Sequence, residues 1–69
     1  MKLSSGFIKT AFKVTEKSTG RHFDCFIQNY DYMNGKQETR FNIGINGWDG
    51  WNFCFYMNEA EFNKEFTID

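Results

Sequence analysis

A chain of 69 residues with a formal net charge of −1 is expected to be a single domain, residues 1–69, near the size at which one core only just suffices. Two cysteines do not make a disulfide framework, and no apolar run is long enough for a secretory signal or a membrane span. No catalytic or metal-ligand motif occurs, so the expectation is a non-catalytic chain with no cofactor and no metal, in a reducing cytoplasm.

The core must come largely from nine Phe, three Tyr and two Trp, because each aromatic ring buries a large area. A dimer that hides further surface would help. The net charge hides an asymmetry: residues 1–57 carry seven cations against five carboxylates, whereas residues 58–69 carry Lys64 against Glu59, Glu61, Glu65 and Asp69. The acid is concentrated at the C-terminus, which directs an anionic partner elsewhere. The absence of Pro and the wealth of Asn, Lys and Phe are consistent with an AT-rich genome, such as those of many phages.

In chain order, residues 1–5 read as a loose lead-in. A first strand is expected over Phe7 to Glu16, with Ile8, Thr10, Phe12 and Val14 alternating against Lys9, Ala11, Lys13 and Thr15. Lys17-Ser18-Thr19-Gly20 is a turn by composition. A second strand follows from Arg21 to Tyr32, with Phe23, Cys25 and Ile27 on one face and His22, Asp24, Phe26, Gln28 and Tyr30 on the other. Asn34-Gly35 marks a hairpin.

The third strand alternates through Phe41, Ile43 and Ile45, and the fourth through Trp51, Phe53, Phe55 and Met57, with the loop Asn46-Gly47-Trp48-Asp49-Gly50 between them. The period then changes. Asn58 has the character of an N-cap, Glu61 stands three residues later as in a capping box, and Phe62 and Phe66 fall on one helical stripe. So short a helix is marginal alone; it is expected because its two Phe side chains plug the apolar face of the sheet.

Register follows from matching burial, since a slip of one residue turns a strand inside out. In the first hairpin the match is Phe12 with Cys25 and Val14 with Phe23. A three-residue loop, Asn34-Gly35-Lys36, pairs Ile27 with Ile43 and Cys25 with Ile45. In the last hairpin Phe53 pairs with Ile43 and Phe55 with Phe41. The fold expected is α+β, a four-stranded antiparallel β-meander followed by one C-terminal helix (β-β-β-β-α). Its core is Ile8, Phe12, Val14, Phe23, Cys25, Ile27, Phe41, Ile43, Ile45, Phe53, Phe55, Met57, Phe62 and Phe66.

One helix covers one face, so the other is open. The expected registers place Tyr30, Arg40 and Tyr56 in one row and Lys9, Gln28, Asn42 and Cys54 in another. Phe26 falls between Ala11 and Gly44, small neighbours that leave its ring clear, and Lys13 falls opposite Asp24. Rings interleaved with cations and amides suit single-stranded nucleic acid: bases stack on rings, cations follow phosphates and amides read base edges. Cross-strand packing between Arg40 and its flanking tyrosines is the purely structural alternative.

The order of elements, with a last strand and helix of the form Phe53-x-Phe55-x-Met57-x-x-Ala60-x-Phe62-x-x-x-Phe66, resembles the PUR repeat and the PC4-like single-stranded DNA-binding fold. The likeness covers residues 7–66 in topology and the last strand and helix in sequence. It implies a curved sheet that binds single-stranded nucleic acid, and dimers that pack through helices and sheets.

His22 and Asp24 share a face, and read as a surface pair because no nucleophile or second acid accompanies them. Cys25, Cys54 and His22 do not cluster as zinc ligands do; Cys25 reads as structural and Cys54 as a semi-exposed thiol. Trp51 continues the core pattern. Trp48, at the loop tip, either folds back over the core edge or serves as a hot spot for a protein partner or as a sugar-stacking residue.

Two functions remain. One is a small dimeric module that binds single-stranded DNA or RNA through Lys9, Lys13, Phe26, Tyr30, Arg40 and Tyr56. The other is a protein–protein interaction module, such as a phage-type inhibitor or adaptor of a larger host protein, that uses the same face or Trp48.

Overall fold

The computed structural model describes residues 8–69 and has the α+β architecture: four antiparallel meander strands, one short helix and a short fifth strand. The elements are β1 (Phe12–Glu16), β2 (His22–Asp31), β3 (Gln37–Gly47), β4 (Gly50–Met57), α1 (Glu59–Glu65) and β5 (Phe66–Ile68). Their order across the sheet is β4-β3-β2-β1-β5.

The fifth strand was not expected. Phe66 adopts an extended conformation (φ −131°, ψ 155°) and begins a segment that pairs antiparallel with β1, Val14 opposite Ile68 and Glu16 opposite Phe66. Strand one is therefore not an edge of the sheet. Phe66 still packs as predicted, its ring stacked on that of Phe62 at 5.6 Å.

The first strand starts at Phe12 rather than Phe7. Phe7 and the lead-in 1–5 lie outside the described residues. Ile8 and Lys9 belong to a turn, where Ala11 N–H donates to the Ile8 carbonyl at 3.2 Å. The Asn46 side chain holds this turn by accepting from Ile8 N–H and donating to Ile8 C=O, both at 2.9 Å. These are the bonds a neighbouring strand would make, so a side chain substitutes for a ladder. Ile8 is half-buried and lies outside the core cluster.

In the first hairpin the expected register is found, with Phe12 opposite Cys25 and Val14 opposite Phe23. In the second it is moved by two residues: Cys25 faces Ile43 and Ile27 faces Phe41. The loop has three residues as expected, but they are Met33-Asn34-Gly35. Tyr32 and Lys36 pair across it, Tyr32 N–H donating to Lys36 C=O at 2.8 Å and Gly35 N–H to Tyr32 C=O at 3.0 Å. Gly35, at φ 84°, supplies the left-handed residue that closes such a loop. A shift of two preserves both faces.

The last hairpin departs further. Phe41 faces Met57 and Ile43 faces Phe55, but the next pair is Gly44 with Phe53, followed by Ile45 with Asn52 and Asn46 with Trp51. Cys54 is the extra residue of a β-bulge, and one extra residue exchanges the faces of everything beyond it. Phe53 and Trp51 therefore leave the core face for the open face. The bulge brings the β4 backbone so close to β3 that a Cβ on Gly44 would lie 2.3 Å from the Asn52 carbonyl oxygen and 2.8 Å from the Trp51 ring. Glycine is required there by close approach.

The core is accordingly smaller than expected. Val14, Cys25, Phe41, Ile43, Phe62 and Phe66 are buried, with Phe12, Phe23 and Met57 packed against them. Ile27, Ile45, Phe53 and Phe55, all assigned to the core from the sequence, are exposed. Phe53 is turned over by the bulge. The other three lie on the helix side, where a seven-residue helix is too short to cover them. That helix is well terminated: Asn58 Oδ1 accepts from Glu61 N–H at 2.8 Å, and Lys17 donates from Nζ to Asn63 C=O and from N–H to Glu65 C=O, both at 2.8 Å. Orphan groups at both ends are thus satisfied. Phe62 stacks on Phe41 at 4.6 Å and anchors α1 to β3.

Candidate binding face

The open face is best built from its centre. Arg40, on β3, lies with its guanidinium carbon 4.1 Å from the Tyr30 ring centroid and 4.5 Å from that of Tyr56. Strands β2 and β4 flank β3, so each contributes one tyrosine, and the cation is stacked between them. The expected grouping of Tyr30, Arg40 and Tyr56 is thus present. It arises diagonally, since the residue directly opposite Arg40 is Gln28 and the one opposite Tyr56 is Asn42.

Arg40 is also held at its edge. Its Nε and Nη2 donate to Glu38 Oε1 at 3.2 and 3.1 Å, and Nη2 donates to the Tyr32 hydroxyl at 3.0 Å. The Tyr32 hydroxyl in turn donates to Glu38. The hydrogen bond from that hydroxyl is the main cause that holds the Glu38 carboxyl below its usual range; desolvation opposes it, and the hydrogen bond and charge of Arg40 add to the lowering. The charge of Arg40 therefore has a carboxylate partner, and its guanidinium is held in place between the two tyrosine rings.

Lys13 faces Asp24 as expected, with Nζ 3.0 Å from Oδ1. Asp24 is buried, and its Oδ2 accepts from Asn46 N–H at 2.7 Å. This bond continues the β2–β3 seam beyond the last paired residues. Lys9 is exposed on the turn before β1 and does not join Gln28, Asn42 and Cys54 in a row. Within that expected row, Asn42 donates to Gln28 Oε1 at 3.4 Å, whereas Cys54 stands at the bulge.

Phe26 was expected between Ala11 and Gly44 with its ring clear. The shifted register sets it opposite Asn42 instead, and its ring meets Trp51 edge to face at 4.9 Å. It is Trp51, not Phe26, that covers Gly44. Two ring positions on this face went unrecognised from the sequence: Trp51, half-buried, and Phe53, 56% exposed. Phe53 lies 6.5 Å from Tyr56, which is 48% exposed. The signal was Gly44 itself, since a glycine inside an alternating strand marks a bulge or a close backbone approach.

The remaining candidates separate. His22 does not pair with Asp24; its Nδ1 lies 3.0 Å from the Thr15 hydroxyl and 3.7 Å from Asp69 Oδ2. Cys25 is buried and desolvation pushes its thiol up to about 12, while Cys54 is exposed. Among the described residues no cluster of three or more His, Cys, Asp or Glu side chains is placed to hold a metal ion, and no pocket is enclosed. No described helix is long and apolar enough to cross a membrane. Trp48 stands free at the β3–β4 tip, 94% exposed, so it does not fold back over the core.

The arrangement offers flat aromatic contact, with Phe53 and Tyr56 outermost, Arg40 fixed beneath and Lys13 and Lys9 at the far side. In comparisons with family models, curated proteins and solved structures, nothing matches this chain.

Proposed function

We propose that this chain is a non-catalytic binding module that holds single-stranded nucleic acid by stacking bases on the open face of its sheet. One observation carries the reading: Phe53 and Tyr56, adjacent and half-exposed on a bulged strand, lie beside an arginine already clamped flat between Tyr30 and Tyr56. Rings held rigidly with one side free lose little entropy when a base settles on them, and each stacked base contributes on the order of 1–3 kcal/mol.

Electrostatics sets the character of such binding. Lys13 and Arg40 each have a carboxylate partner, which leaves few phosphates to neutralise. Affinity should therefore rest on stacking, with a shallow dependence on salt, a log–log slope of roughly −0.7 to −1.4 for one or two phosphates neutralised on a single strand. The test is fluorescence anisotropy of labelled DNA and RNA oligonucleotides at low and moderate salt. Phe53→Ala and Tyr56→Ala are each expected to weaken binding about tenfold, with the fold retained by circular dichroism.

A second reading is favoured by Trp48. A tryptophan nearly fully exposed at a hairpin tip suits insertion into a pocket of a larger protein. No oligonucleotide binding even at low salt would sink the first reading and leave this one.

A further inference from the structure

Among the described residues, the outer edge of β4 is the long unpaired edge of the sheet. It is the terminal strand of the sheet, and its residues, Gly50-Trp51-Asn52-Phe53-Cys54-Phe55-Tyr56-Met57, include no charged side chain and no proline. Proteins guard sheet edges with very short strands, Lys, Pro, bulges or a covering element. The other edge strand, β5, has only three residues, Phe66-Thr67-Ile68, whereas β4 has eight and, of these devices, only the bulge at Cys54. Around β4, exposed apolar groups lie on both sides of the sheet, Ile45 and Phe55 on the helix side beside the neutral Asn52, Phe53 and Tyr56 on the open side.

We propose that two copies of this chain pair edge to edge along Gly50–Met57, antiparallel about a two-fold axis normal to the sheet. Self-pairing suits this strand because every side chain that meets its counterpart is neutral, so the like-charge opposition that usually forbids a strand from pairing with itself is absent. A two-fold normal to the sheet keeps corresponding faces on the same side, so the seam brings Phe53 and Tyr56 of both copies into one continuous aromatic strip on a ten-stranded sheet. Use of that strip rests on the nucleic-acid reading; the pairing does not.

The experiment is carried out without nucleic acid, so its outcome is independent of that reading. Sedimentation equilibrium over a wide concentration range is expected to show twice the monomer mass, with amide exchange in Gly50–Met57 slowing as concentration rises. Cys54→Lys, at the exposed bulge, is expected to weaken dimerisation at least tenfold while the circular dichroism spectrum is kept. Asn52→Lys, also exposed on β4, serves if the first variant does not fold. A monomer at every concentration overturns the proposal. So does a dimer whose β4 amides exchange as fast as in the monomer, or one undisturbed by lysine on this edge.

Discussion

The two outer hairpins of this sheet are built from similar alternating sequences and end in opposite conditions. β1–β2 is regular, covered on its outer side by β5, and sends Val14 and Cys25 into a dry core. β3–β4 is bulged, has no further strand on its outer side among the described residues, and turns Trp51 and Phe53 away from the core. The contrast teaches that alternation fixes which residues share a face only while the ladder is regular. One inserted residue is enough to move two aromatic side chains from the core face to the open face.

The comparison can be broken most forcefully at the core. Phe62→Ala removes the ring that joins α1 to Phe41, and a buried Phe→Ala change costs about 3–5 kcal/mol, most of the stability of so small a domain. Phe53→Ala, at the same residue type on the open face, is expected to cost less than about 1 kcal/mol. Chemical denaturation of both variants checks this directly. Equal losses would return Phe53 to the core and remove the bulge from the account.

A smaller effect is expected at the bulge. Gly44→Ala places a methyl group against the Asn52 carbonyl oxygen, which is backbone and cannot swing aside, and overpacking of this kind costs about 2 kcal/mol. The β4 chain must lift away from β3, so Trp51 fluorescence is expected to shift to the red. An unchanged midpoint and spectrum would show that the two strands do not approach so closely.

The smallest effect concerns Glu38. Its folded pKa lies below its unfolded one, so its contribution is complete above the ordinary value of 4.5 and is lost as pH falls through the lower folded value. The unfolding midpoints of wild type and Glu38→Gln should therefore differ near neutrality and converge in acid. Parallel curves across that range would mean that Tyr32 and Arg40 do not hold the Glu38 carboxylate.

Much of this was legible in the chain. The meander order, the register of the first hairpin, the Asn58 cap and the grouping of Tyr30, Arg40 and Tyr56 all follow from local signals, namely period, turn residues and capping chemistry. The three-residue loop was legible in length but not in place, because Asn34-Gly35 satisfies turn chemistry in either of two positions. Phe26 was misplaced by that ambiguity, and Lys9 by an overlong first strand that Asn46, 38 positions away, replaces with a turn.

By itself, then, the sequence determined the elements and their order, since helix and strand periods, caps and glycine turns act over a few residues. Tertiary structure alone decided the rest: β5 closing over β1, the bulge at Cys54, and Trp51 over Gly44. Each depends on how closely two backbones separated along the chain can approach, and that distance is set by packing across the sheet rather than by any local pattern.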